Sequence, residues 1–119
     1  MKDFKKLNIW QLGMDIVDRV YDLVPMFPSE ERYGLRSQIT RSAVSIPSNI
    51  AEGSAKRSNK EKVRFTEIAL GSAFELETQL LTVQKRKWVK VESIDELVEL
   101  VRSEQSMISK FIDKLEAEG

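Results

Sequence analysis

SIPSNIAEGSAKRS, from Ser45 to Ser58, places a proline, an asparagine and a glycine in a chain that otherwise reads as helix. A loop that cradles a ligand and a helix bent for packing both use such residues. The apolar phase decides between them. Leu35, Ile39, Ala43, Ile46, Ile50 and Gly53 follow one another at steps of 4, 4, 3, 4 and 3, which keeps them on one helical face. A loop has no reason to hold that phase across Pro47. The spacing predicts one helix over about 29–56, kinked at Pro47, where the bond to the Ala43 carbonyl is lost. A break into two helices at Pro47 is the alternative. On the first reading Asn49 ties down backbone near the kink. Gly53 admits a close neighbour.

Upstream, Ser29 is placed to cap this helix, with Glu30 and Glu31 at its positive end. Pro25 and Pro28 end the helix before it. That first helix spans about 8–24, with Ile9, Leu12, Ile16, Val20 and Leu23 on one face. Trp10, Met14, Val17 and Tyr21 form a second apolar strip, which Phe4 and Leu7 extend. This is more apolar surface than a small bundle needs, and such excess marks self-association.

Downstream, Ser58-Asn59-Lys60-Glu61 has the S-x-x-E form of a capping box and opens a third helix. Phe65, Ile68, Ala69, Ser72, Ala73, Leu76, Leu80 and Val83 mark its buried face. Gly71, Ser72 and Ala73 are small enough for another helix to come close. The helix ends near Arg86. After the connector 88–91, Ser93 with Glu96 repeats the box and caps a fourth helix. Its apolar face is Ile94, Leu97, Val98, Val101, Ile108, Phe111, Ile112 and Leu115. No segment alternates as a strand does. The fold class is therefore all-α: an up-down-up-down antiparallel four-helix bundle, one domain over 1–119.

Composition narrows the chemistry. The 119 residues include no Cys and no His, which removes thiolate sites, the commonest general base and the commonest metal ligand. The Glu-x-x-His pairs of bundle di-iron sites have no counterpart. No G-x-x-x-x-G-K-[ST] phosphate loop occurs. Glu52 pairs with Arg36, Arg41 or Lys56 on this reading. No catalytic residue, metal or cofactor is expected. No stretch approaches the roughly 20 apolar residues that span a bilayer, nor resembles a signal peptide. The expectation is a cytoplasmic protein with no membrane contact.

Net charge is zero, 19 basic residues against 19 acidic, but the charges are segregated. Residues 32–64 hold eight Lys/Arg against two Glu, and residues 91–119 hold eight acids against three bases. Arg36, Arg41, Lys56, Arg57, Lys60, Arg64, Lys85, Arg86 and Lys87 are the candidate phosphate contacts for structured RNA or DNA. They fall near the two ends of helices two and three. A helix of 28 residues is about 42 Å long, so they form two basic ends rather than one patch. A scaffold that docks a partner protein through its basic and acidic faces is the rival reading.

Several motifs together resemble a known family. F-x-x-L-x-x-W stands at Phe4, Leu7 and Trp10. Y-x-L-x-x-x-F-P spans Tyr21 to Pro28, and E-R-Y-G-L-R-S-Q-I spans Glu31 to Ile39. S-I-P-S-N-I-A-E-G spans Ser45 to Gly53, and Gly71-Ser72 with Glu75 and Leu76 completes the set. The pattern resembles the proteins encoded in intervening sequences of bacterial 23S rRNA genes, the S23 family. It is similar too to the accessory proteins of diversity-generating retroelements. The resemblance implies a four-helix bundle that assembles as a homopentamer, with no established enzymatic activity. From the residue readings above, Trp10, Tyr21, Pro47, Asn49, Gly53 and Gly71 are the candidate structural residues. In the retroelement relatives a basic surface is implicated in binding nucleic acid.

Overall fold

A computed structural model describes residues 3–119 as four α-helices and three short 3-10 turns. The helices are α1 (Asn8–Leu23), α2 (Leu35–Ser54), α3 (Asn59–Arg86) and α4 (Val91–Glu118). No strand occurs among the described residues. Each helix packs on two others, α1 and α3 both lying against α2 and α4. Side-chain contacts give the directions. Ser42 meets Glu75 and Ser45 meets Ser72, while Gly53 lies against Phe65. Numbers rise on α2 as they fall on α3, so the two run antiparallel. Gln84 meets Asp95, Gln105 meets Glu77 and Asn59 meets Leu115, which orders α3 and α4 the same way.

The core is the apolar stripe of each helix turned inward. Ile16 and Val20, Ile39 and Ile46, Leu76 and Leu80, and Val101 and Ile108 are fully buried. A buried side chain of this size stabilises the fold by about 1.5–3 kcal/mol. Ala43, Ala69 and Ala73 are also fully buried, and their small size lets α2 and α3 approach. A hydroxyl contact of 2.8 Å between Ser45 and Ser72 lies in this seam.

α2 runs unbroken through Pro47, which is itself buried. Asn49 Nδ2 donates to the Ser45 carbonyl and to Ser45 Oγ, both at 2.9 Å. A Cβ on Gly53 would sit 3.0 Å from Phe65 Cβ, tighter than most packed carbons, so Phe65 would have to give way. Gly71 is different. Nothing lies within 4 Å of its Cβ position, so no helix of its own chain packs on it.

Two helix starts differ from the sequence reading. α2 begins at Leu35, not near Ser29. Residues Ser29–Glu31 form a separate 3-10 turn, and Gly34 leaves helical geometry at ψ −115°. Glu31, not Ser29, serves the helix start, its Oε1 accepting from the Leu35 amide at 3.2 Å. α4 begins at Val91, because Lys90 is extended and its carbonyl accepts from the Ser93 amide. Ser93 therefore sits inside the first turn and caps nothing. Ser58 does cap α3, accepting from the Glu61 amide at 3.2 Å. Lys87 takes the left-handed conformation, φ 58°, that closes α3.

Candidate nucleic-acid interface

The molecule is a rod of 46 × 23 × 20 Å. Lys56, Arg57, Lys60 and Arg64 stand at one end, where α2 turns into α3. Arg36 and Arg41 lie on the first half of α2, and Lys85, Arg86 and Lys87 at the close of α3. The Phe27 ring packs on Trp88, with centroids 5.7 Å apart. That contact puts the α1–α2 connection and the α3–α4 turn at the same, opposite end. The fold thus sets Lys56, Arg57, Lys60 and Arg64 at one end and Lys85, Arg86 and Lys87 at the other, while Arg36 and Arg41 run along α2 from the second end toward mid-height, where Ser42 meets Glu75.

The Lys56 end surrounds a cavity of about 550 Å³. Its walls combine Lys56, Arg57, Lys62 and Lys114 with apolar groups such as Phe4 and Phe111. Lys56 Nζ lies 4.8 Å from the centroid of the Phe65 ring, a cation–π contact. Lys62 Nζ donates to the Ser54 carbonyl at 3.0 Å and so ties the α2 terminus to α3. Away from that end, a groove of about 530 Å³ lies between α1 and α2, and Lys85, Arg86 and Lys87 do not line it. Arg36 and Arg41 line it with Arg32, Tyr21 and Tyr33. Arg32 counts among the basic residues of 32–64 in the sequence but not among the nine candidates, and Tyr33 was not singled out at all. The signal was E-R-Y-G, an Arg-Tyr pair beside a helix-breaking glycine.

Ion pairing leaves these cations free. Among the described residues, salt bridges involve Arg19, with Asp15 and Glu96, and Arg102, with Glu77 and Glu99. None of the nine candidate residues takes part. Glu52 is exposed and makes no ion pair with Arg36, Arg41 or Lys56, so the expected pairing is absent. Glu52 faces water, where a loose pair gains little.

Trp10 is half-buried and packs edge-on against Phe4, with centroids 5.4 Å apart. Val17, from the same strip, is buried. The fold therefore covers part of the second strip on α1, leaving Met14 and Tyr21 exposed. α3 also carries large apolar groups on its outer surface. Ile68, Phe74 and Leu81 are exposed there, with the bare Gly71 between the first two.

The interior holds one group that no sequence argument singled out. Glu104 is 0% exposed, and neither carboxylate oxygen has a hydrogen-bond partner. Its Oε2 points at Gly13, where a Cβ would sit 3.0 Å away, with Ile46 and Pro47 around the same point at 3.5 Å. Burial pushes its pKa up to about 8. Its signal was position: Glu104 falls on the apolar stripe of α4, midway between Val101 and Ile108. Glu104 borders neither the groove nor the cavity, so it has no access to a substrate there. No group of three or more acidic side chains able to hold a metal occurs among the described residues. No described helix is long and apolar enough to cross a membrane.

Comparison with known proteins agrees with this architecture. A crystal structure of a protein of unknown function from the S23 ribosomal protein family of Bacteroides thetaiotaomicron superposes with a TM-score of 0.81. It covers 87% of this chain and 97% of its own, at 20% identity, and so shows the shared fold. Curated proteins give no match. The family model of the 23S rRNA-intervening sequence proteins matches residues 5–110. That match takes in the α2 segment around Pro47, both basic ends and most of α4, and the chain belongs to the 23S rRNA-intervening sequence protein family.

Proposed function

We propose that this protein is a non-enzymatic, homo-oligomeric bundle that binds structured RNA or DNA through its basic ends. The observation that carries the reading is the set of nine cations at the two ends and along the first half of α2, none of them in an ion pair among the described residues. A cation already paired with a carboxylate has little to offer a phosphate. An unpaired one releases counterions from the nucleic acid and gains binding energy. The protein acts in the cytoplasm, where structured RNA is abundant.

Exposed apolar groups on α3 support the self-association reading. Ile68, Phe74 and Leu81 are large apolar groups in water, and Gly71 leaves room for a second chain to approach the backbone. The resemblance to the family implies five copies. Repetition of a weak basic patch makes later contacts intramolecular, so the assembly binds far more tightly than one chain.

The test is a binding titration of nuclease-treated protein with a structured RNA and with duplex DNA over a salt series. A steep salt slope, lost when Lys56, Arg57 and Lys60 are changed to Glu, is the expected result. Binding no tighter than about 10⁻⁴ M at physiological salt would sink the reading and leave a partner protein as the target. Light scattering on the Phe74→Glu variant checks the assembly face. The variant should fall to a smaller mass with its helix content intact.

A further inference from the structure

The groove between α1 and α2 differs from the rest of the basic surface. Its lining carries three arginines, Arg32, Arg36 and Arg41, and two tyrosines, Tyr21 and Tyr33, with no Asp or Glu. The three guanidinium groups make no salt bridge among the described residues. Tyr33 is 85% exposed and Tyr21 53%, so both rings stand in water. Val44, also exposed, adds an apolar edge. The nearby Glu31 is engaged as the cap of Leu35. The groove lies along the first turns of α2, whose aligned peptide dipoles add positive potential.

A duplex needs cations alone, because its bases are stacked inside. Unpaired nucleotides need cations and flat apolar faces together. We propose that this groove binds unpaired nucleotides, their bases lying on Tyr21 and Tyr33 and their phosphates on Arg32, Arg36 and Arg41. The inference rests on the nucleic-acid reading above and names the part of the structure that is recognised. The Arg32 guanidinium carbon already sits 5.3 Å from the centroid of the Tyr33 ring. That contact holds one face of the ring and leaves the other for a base. Ring stacking is tolerant of base identity, so the groove selects unpaired segments without selecting sequence.

The experiment compares two RNAs of equal charge by fluorescence anisotropy, using the full chain. One is a hairpin with an open loop and the other a blunt duplex. Wild type should bind the hairpin more tightly. Tyr21→Ala with Tyr33→Ala should weaken hairpin binding about tenfold or more, the range of base–aromatic stacking, and leave duplex binding and the salt slope unchanged. Tyr→Phe at both positions should retain hairpin binding. Both rings are exposed, so the variants should keep wild-type circular dichroism. An equal loss on both RNAs, or no loss on either, would overturn the groove assignment while the basic-end reading stands. Displacement of the hairpin by a millimolar mononucleotide would reassign the groove to free nucleotides. Failure of wild type to bind either RNA would remove both readings together.

Discussion

Glu104 and Gln105 are neighbours on α4 and both are buried. They turn to different sides of the helix and meet opposite conditions. Gln105 faces α3, where its Nε2 donates to Glu77 Oε1 at 2.8 Å and to the Ala73 carbonyl at 3.4 Å. Glu77 then accepts a further bond from Arg102 at 2.8 Å. These donors, Gln105 before Arg102, hold the Glu77 carboxyl below its usual range and keep it charged. Glu104 faces α1 and α2, where Gly13, Ile46 and Pro47 offer no donor. Burial alone acts on it, and it keeps its proton toward neutral pH. Exposure does not separate the two sites. Partners do.

The largest effect is expected from pH. Below about 4.5, the ordinary value, Glu104 is protonated whether the chain is folded or not. Between there and about 8 the folded chain holds a proton that the unfolded chain has released. Folding stability therefore falls as pH rises through that window and levels above it. The loss integrates to about 3–5 kcal/mol. Urea unfolding at pH 5 and pH 8.5 measures it, and Glu104→Gln should flatten the difference. A variant with the wild-type slope would place the charge elsewhere. Glu77 runs the other way. Its contribution is present above its ordinary value and is lost as pH falls through its lowered folded pKa.

Gly13→Leu should come next, at about 1–3 kcal/mol of destabilisation, because its side chain must displace the Glu104 carboxyl and crowd Ile46 and Pro47. Pairing it with Glu104→Ala should recover part of that loss. Strict additivity in the double-mutant cycle would show that the two positions do not meet. Gln105→Leu should cost about 1 kcal/mol. It should also raise the Glu77 pKa, read by NMR titration. The smallest change is expected from Arg102→Ala, since Arg102 is half-exposed and its pairs are open to salt. Its effect on the unfolding midpoint should disappear at high ionic strength.

The two sites were unequally legible in the sequence. Apolar phase carried α2 across Pro47 because packing there depends on spacing, and spacing is written in the chain. Ser58 read correctly as a cap because the box is local, four residues long and followed at once by the helix. Ser29 has the same residue type, but Gly34 lies between it and the apolar run and ends any helix begun there. Ser93 failed because Lys90 opens the turn first. Glu104 was visible as an acid on an apolar stripe, yet its condition depends on a glycine 91 positions earlier. No local rule connects Glu104 to Gly13. Helix length alone separated Lys56, Arg57, Lys60 and Arg64 from Lys85, Arg86 and Lys87. The tyrosine-lined groove could not be read that way, because Tyr21 and Tyr33 lie in different elements and come together through the fold.

The seam between α1 and α4 has a temporal meaning as well. Ser42 finds Glu75 across one turn, but Arg19 reaches Glu96 and Gly13 faces Glu104 across most of the chain. Synthesis adds about 5–20 residues per second, whereas helices form in about a microsecond. The first three helices therefore have seconds together before the fourth emerges. Until then the inner faces of α1 and α2 lie open beside Gly13, and α4 arrives with its carboxyl ionised. Docking of α4 brings that acid in from water and buries it against Gly13. Docking of the last of the four helices is thus coupled to the uptake of a proton.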